Sequence, residues 1–378
     1  MTTQALAGAR ILSDGTWYDD HALLITDCKI ESVIAAGAIP TLADVTWLDG
    51  GMILPGFLDT QVNGGGGVLF NDQPTVEGIT AIAEAHRKFG TTAMLPTLIS
   101  DDLDVIAKAV AAVDDAIEAG VPGIVGIHIE GPFLNAGKHG IHDSQKFRVL
   151  DDEAISLLSS LKYGKTLVTL APELAPPGAI AALVKGGVIV AAGHTLATYD
   201  DMKRAIDEGL SGVTHLFNAM TQMESRAPGV VGASLDSDLV CGVIVDGHHV
   251  HPASLRAAYR AKGSNGLMLV TDAMPTVGSR IKEFTVTGTD VTASEGKLRS
   301  GDGTLAGSDL DMASAVRNCV QLMQTDLGSA SRMASATPAE FMGLGNAYGQ
   351  ISAGFRSDLV HLDDELNVKN VWIAGETA

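Results

Sequence analysis

The sequence predicts a closed (β/α)₈ barrel that carries a small β domain built from both chain ends. Three observations predict it. Between residues 52 and 344, eight near-continuous apolar runs of strand type alternate with stretches whose apolar residues fall at helical spacing. Four of these runs end in a residue able to hold a metal or move a proton, namely Glu130, His194, His215 and Asp272. Short alternating runs occupy both termini, and neither terminus has enough apolar residues to form a core alone. For 378 residues, one large domain with a smaller companion is the expected plan.

The elements follow in chain order. Residues 5 to 50 hold alternating runs such as Ala22-Leu23-Leu24-Ile25-Thr26 and Ser32-Val33-Ile34, divided by turn residues, which predicts a small antiparallel sheet. The C-terminus resumes the pattern at 357–362 and 367–373, so residues 1–51 and 345–378 are expected to pair into one domain. The eight barrel runs are 52–59, 92–98, 124–130, 166–171, 188–194, 212–215, 239–245 and 267–272. Helical stretches at 76–89, 102–118, 151–161, 199–208 and 252–261 lie between them and end at Gly or Pro. In a barrel of this kind catalytic groups sit where strands end and loops begin, which places the four polar strand ends in one pocket.

Composition narrows the function. A formal charge of −20 disfavours nucleic acid or an anionic membrane surface as the partner, and an anionic substrate would need local Arg, Lys and His to overcome that field. No apolar run approaches the roughly 20 residues that span a bilayer. Cys28, Cys241 and Cys319 are odd in number and far apart, so they read as reduced structural thiols. The start, Met1-Thr2-Thr3-Gln4, lacks the basic and apolar segments of a signal peptide, and a cytoplasmic location is expected.

The chemistry is concentrated around Glu130. The run ending in His128-Ile129-Glu130 stops on Gly131-Pro132, which cannot continue a central strand. A hydrolase typically gives a divalent metal three protein ligands and leaves room for a water whose pKa falls to roughly 7. Glu130, His194 and His215 supply such a set. A lone His after an apolar run is more often a hydrogen-bonded core imidazole; two at consecutive strand ends, with a carboxylate, reverse that balance. The Gly193 before His194 allows close backbone approach. Asp272 reads equally as a proton-transfer group or as the cap of a following helix. His128 shares the strand face of Glu130 and is expected in an interior layer. Lys138 and His139 lie in a Gly-flanked loop, Gly64 to Gly67 lacks the ending of a nucleotide loop, and no G-x-S-x-G string occurs.

Six strings carry a resemblance along nearly the whole chain. They are Pro55-Gly56-Phe57-Leu58-Asp59-Thr60-Gln61-Val62-Asn63-Gly64, His128-Ile129-Glu130-Gly131-Pro132-Phe133, Gly193-His194-Thr195, His215-Leu216-Phe217-Asn218-Ala219-Met220, Val270-Thr271-Asp272-Ala273 and Gly303-Thr304-Leu305-Ala306-Gly307-Ser308. With them the chain resembles the N-acetylglucosamine-6-phosphate deacetylase family of the amidohydrolase superfamily. The resemblance implies hydrolysis of N-acetylglucosamine 6-phosphate to acetate and glucosamine 6-phosphate. The galactosamine epimer or another amide is the alternative substrate. A barrel that has lost catalysis is disfavoured by the intact Glu130, His194, His215 and Asp272.

The resemblance also implies roles. Asp272 becomes the favoured general base and acid. Many amidohydrolases place a His-x-His pair on the first strand for a second ion; here Gln61 and Asn63 stand there, and amides are poor zinc ligands. One divalent metal per subunit is therefore expected, Zn²⁺ first and Fe²⁺ or another ion as alternatives, with a dinuclear site as the competing arrangement. His142, after Ile141, matches the loop His that contacts the acetamide carbonyl. Asn218 and Ala219 match contacts to the sugar phosphate, and Arg226 matches the phosphate-binding Arg. His249, or the adjacent His248, matches a second phosphate contact that in the family can come from a neighbouring subunit, so a homodimer is expected. Leu305, Ala306 and Gly307 match a loop lining the sugar pocket.

Overall fold

A computed structural model of the protein describes residues 3–301 and 303–378; Met1 and Thr2, where the expected small domain begins, and Asp302 lie outside the described residues. The central sheet has eight strands in sequence order, all parallel. They are β1 (Phe57–Val62), β2 (Thr91–Ile99), β3 (Gly126–Glu130), β4 (Lys165–Leu170), β5 (Ile189–Ala192), β6 (Gly212–Val213), β7 (Val240–Val243) and β8 (Leu267–Leu269). Helices follow the strands, beginning with Val76–Arg87 and Leu103–Glu118. Val76–Arg87 starts because the Thr75 side chain accepts from the Gly78 N–H, and it buries Ile79, Ile82, Ala83 and His86, one face at helical spacing. Tyr199–Asp207 begins with a reciprocal cap between Thr198 and Asp201.

The sheet closes between β8 and β1. The Asp272 N–H donates to Gln61 O (2.9 Å) and the Asn63 N–H to Ala273 O (2.9 Å). Beneath these bonds, the fully buried Asp59 accepts from Thr271 Oγ1 (2.5 Å), the Gln61 N–H (3.1 Å) and the Thr271 N–H (3.3 Å). Burial pushes the Asp59 carboxyl up to about 7. The folded chain therefore holds this proton more tightly than the unfolded chain, in which an Asp titrates near 4. That contribution to stability is full below about pH 4 and is lost as the pH rises through about 7. Asp59→Asn keeps the shape and an acceptor oxygen. Thermal unfolding from about pH 4 to about pH 8 is expected to show the variant gaining on the wild type as the pH rises. Parallel curves for the two proteins would contradict this.

Two further sheets flank the barrel. Lys29–Ala35, His21–Thr26, Gln4–Ala7 and Asp44–Trp47 form one. Glu376–Thr377, Val368–Ile373, Leu359–Leu362, Met52–Pro55, Arg10–Ser13 and Thr16–Tyr18 form the other, so it draws on both chain ends. They share a core of Leu6, Ile11, Leu23, Ile53, Leu359 and Trp372. Instead of one antiparallel sheet there are two mixed ones, because Gln4–Ala7 pairs in parallel with Asp44–Trp47 and Arg10–Ile11 with Met52–Ile53. The run 52–59, expected as one barrel strand, is broken at Gly56. Met52–Pro55 joins the flanking sheet and only β1 enters the barrel. A Cβ at Gly56 would lie 2.1 Å from Thr92 Oγ1, so the crossing needs glycine.

The segment 283–308, in which the sequence singles out only the string 303–308 as an expected pocket loop, has no strand assigned to it from sequence. It forms a four-stranded antiparallel sheet of Glu283–Val286, Thr289–Ser294, Lys297–Ser300 and Leu305–Ser308, tied to the loop after β3 where Thr287 Oγ1 donates to Ile141 O (2.9 Å). Its signals are Thr-rich alternation and the turns at Thr287-Gly288 and Glu295-Gly296. Cys241 and Cys319 are buried, whereas Cys28 is exposed and is not a core thiol; all three are free. No helix among the described residues is long and apolar enough to cross a membrane.

Candidate active site

Glu130 ends β3, and His194 and His215 lie just beyond β5 and β6. All three side chains are buried. Their tips meet: His194 Nε2 is 3.2 Å and His215 Nε2 3.1 Å from Glu130 Oε1, and the two Nε2 atoms are 3.0 Å apart. The His194 Nδ1–H donates to Lys138 O (2.7 Å), which leaves Nε2 with a free lone pair. Two imidazole nitrogens and a carboxylate oxygen this close form a donor set that suits a divalent cation, and they are the group of that kind found among the described residues. Burial raises the Glu130 carboxyl, but the His194 and His215 imidazoles packed against it outweigh burial and hold the group well below the usual carboxylate range.

The backbone is bent to bring these tips inward. His194 (φ 47°), His215 (φ 32°) and Asp272 (φ 52°) all occupy the left-handed region, at roughly 1–3 kcal/mol each for residues other than glycine. Gly193 permits the first bend, since a Cβ there would lie 2.6 Å from Thr169 Cγ2 and 3.1 Å from Thr214 Cβ. His128 instead points into the barrel layer below and bonds Thr169 Oγ1 (2.8 Å).

Asp272 closes the ring from β8. Its Oδ1 accepts from Asn63 Nδ2 (2.6 Å) and Gln61 Nε2 (3.2 Å), and the same Gln61 Nε2 donates to Glu130 Oε2 (3.1 Å). Both amides therefore face carboxylates through donor nitrogens, which have no lone pair for a metal. Burial and the neighbouring Glu130 charge push the Asp272 carboxyl up to about 6. No described helix begins at Asp272, because Ala273 instead bridges to Val62 and Ser308, so the capping alternative has no counterpart. From the opposite side, His142 brings its ring to 4.4 Å from that of His194. Its Nδ1 accepts from the Ser100 N–H (3.3 Å) and lies 2.8 Å from Ser100 Oγ. Burial and His194 press this imidazole well below its ordinary value, so it is neutral.

These groups line a cavity of about 770 Å³ at the C-terminal mouth of the barrel, a size suited to a small ligand. Of the residues the resemblance singled out, Ile141, Asn218, Ala219, His249, Leu305 and Gly307 line it. Three expected residues do not. Ala306 packs in a core with Leu69, Met274 and Leu298, because alternation along its strand turns it away from the cavity that Leu305 faces. His248 is exposed and lies beside the turn at Gly296, which leaves His249 as the cavity residue of the pair. Arg226 is exposed on the loop after β6 and is not brought to the cavity of its own chain.

Sequence reasoning missed several contributors. Asp246 Oδ2 lies 2.6 Å from His249 Nδ1, which turns Nε2 towards the cavity. Burial raises the Asp246 carboxyl, but the bonds from His249 outweigh it and keep it low. Thr287 and Thr289 reach the cavity from the inserted sheet. Ser100 and Asp246 each follow an apolar strand run, the same position that singled out Glu130 and Asp272, and that signal could have found them.

A closed barrel with a Glu-His-His cluster and an adjacent carboxylate at its mouth defines a metal-site hydrolase fold, and the chain belongs to the Amidohydrolase family, whose model matches residues 52–378. Among its relatives, the N-acetylgalactosamine-6-phosphate deacetylase of Shewanella sp. (strain ANA-3) is 45% identical over 98% of this chain and 94% of its own length. The N-acetylglucosamine-6-phosphate deacetylase of Haemophilus influenzae is 35% identical over 96% of each. The crystal structure of N-acetylglucosamine-6-phosphate deacetylase from Pasteurella multocida superposes with a TM-score of 0.97 at 34% identity, covering 100% of this chain and 99% of that one.

Proposed function

We propose that this protein hydrolyses the acetamide of N-acetyl-D-glucosamine 6-phosphate, giving acetate and D-glucosamine 6-phosphate in the cytoplasm. The observation that carries the reading is the convergence of Glu130, His194, His215, Asp272 and His142 on one cavity that also holds His249. Glu130, His194 and His215 would hold one divalent ion, Zn²⁺ by the mixture of imidazole and carboxylate donors. When bound, that ion supplies polarisation of the amide carbonyl and a water of lowered pKa. Asp272 takes the proton of the attacking water on Oδ2, since Oδ1 is engaged by Asn63 and Gln61, and returns it to the leaving amine. His142 donates to the carbonyl oxygen as negative charge develops there, a contribution of about 3 kcal/mol for one donor. Asn218 and Ala219 place the sugar, and Leu305 and Gly307 close over it.

His249 receives the phosphate from within its own chain. Arg226, exposed and outside that cavity, is left to reach the phosphate of a second copy in a homodimer. Arg226→Ala and His249→Ala proteins are each expected to bind substrate poorly. Mixed dimers of the two are expected to regain activity, since half of their sites then combine an intact His249 with an intact Arg226. Mixtures as inactive as either variant alone would place both contacts in one chain.

A second reading, N-acetyl-D-galactosamine 6-phosphate as substrate, is favoured by the 45% identity to the Shewanella relative. Acetate release measured side by side on the two epimers, with metal content determined on the same sample, tests both. A higher kcat/KM on the glucosamine epimer and about one ion per chain are expected. Release from neither epimer would overturn the reading.

A further inference from the structure

The geometry points to Ser100 as a positioning residue that fixes the neutral Nε2–H tautomer of His142 and so aims a hydrogen-bond donor at the acetamide oxygen. This rests on the proposed role of His142 at that oxygen.

The Ser100 N–H can only donate, and it points at His142 Nδ1 (3.3 Å). A protonated Nδ1 would set two hydrogens against each other, so Nδ1 is the acceptor and Nε2 carries the proton. The Ser100 hydroxyl, 2.8 Å from the same nitrogen, then donates to it as well. Oγ has another acceptor in Glu130 O, but at 3.5 Å that contact is the weaker one. With Nδ1 held by Ser100 at the end of β2, the ring's remaining nitrogen is the one left for the cavity that His142 lines.

A second observation shows that the neighbourhood is shaped around this hydroxyl. A Cβ at Gly131 would fall 2.2 Å from Ser100 Oγ, and Gly131 has φ 84°. The residue after Glu130 therefore lacks a side chain where Ser100 needs room. Ser100 itself is 3% exposed and directly follows β2, the strand beside β3, so the Ser100 to His142 bond ties a catalytic group on a loop to the end of a barrel strand. Without the hydroxyl, one N–H at 3.3 Å is left to hold the ring, and the Nδ1–H tautomer, which presents a lone pair to the substrate oxygen, gains population.

The test uses the metal-loaded full chain. Ser100→Ala is expected to lower kcat about tenfold with KM and metal content little changed, the size of one lost hydrogen bond. Ser100→Thr, which keeps the hydroxyl, is expected to recover most of the rate. In a His142→Gln background, Ser100→Ala is expected to have no further effect, because its action passes through the imidazole. Nitrogen-15 NMR of the His142 ring is expected to show Nε2–H in the wild type and a mixture in Ser100→Ala. A wild-type kcat in Ser100→Ala, an equal loss in both backgrounds, or an unchanged ring spectrum would overturn the assignment. If wild-type protein hydrolyses neither amino sugar phosphate, the functional reading fails, and the ring spectra still decide whether Ser100 sets the tautomer.

Discussion

Asp272→Asn is expected to lower kcat by about 10²–10⁴-fold and to leave KM within a few fold. The amide keeps an oxygen for Asn63 and Gln61, so the seam between β8 and β1 survives and the loss is chemical. What disappears is a carboxylate able to take a proton from water and pass it to nitrogen. The pH profile separates this from a folding defect. Burial and the charge of Glu130 raise Asp272 to about 6, and a cation held by Glu130 offsets that charge. The acid limb of kcat/KM in the loaded wild type is therefore expected below about pH 6. Residual activity of the variant is expected to lack the limb. An unchanged limb, or a loss confined to KM, would remove Asp272 from proton transfer.

The second large effect is expected at Glu130. Glu130→Gln replaces the charged member of the donor set with a neutral amide, while His194 and His215 stay in place just beyond their own strands. Metal affinity is expected to fall by more than the roughly 10–100-fold that loss of an outer partner brings. Elemental analysis after dialysis should find little metal, and hydrolysis should fall with it. Chelation of the wild type should abolish hydrolysis in the same way, and readdition of Zn²⁺ should restore it in the wild type alone. A variant that keeps both its ion and its activity would show that the metal sits elsewhere.

Gln61 connects the two predictions. It donates to Glu130 and Asp272 at once, holding together two carboxylates that would otherwise repel across the site. The string around Gln61 was legible for its motif, yet its physical role depends on strands 1, 3 and 8 meeting, which no local pattern records.

Read along the chain, the barrel strands after the first, five of the helices between them and the four polar residues at or just beyond strand ends were legible in the sequence alone. Apolar runs, caps and turn residues act within a few positions of themselves, so their meaning is local. Where a decision depended on distant chain, only the tertiary structure could make it. The break at Gly56 is set by Thr92, the turning of Ala306 into a core by the register of the inserted sheet, and the exclusion of Arg226 by where its loop emerges. The same holds for tautomers: which nitrogen of His142 or His194 faces the cavity follows from Ser100 and from Lys138, 42 and 56 residues away. Hydrogen bonds across such spans form only once the barrel closes, and it is closure that turns scattered residues into a site.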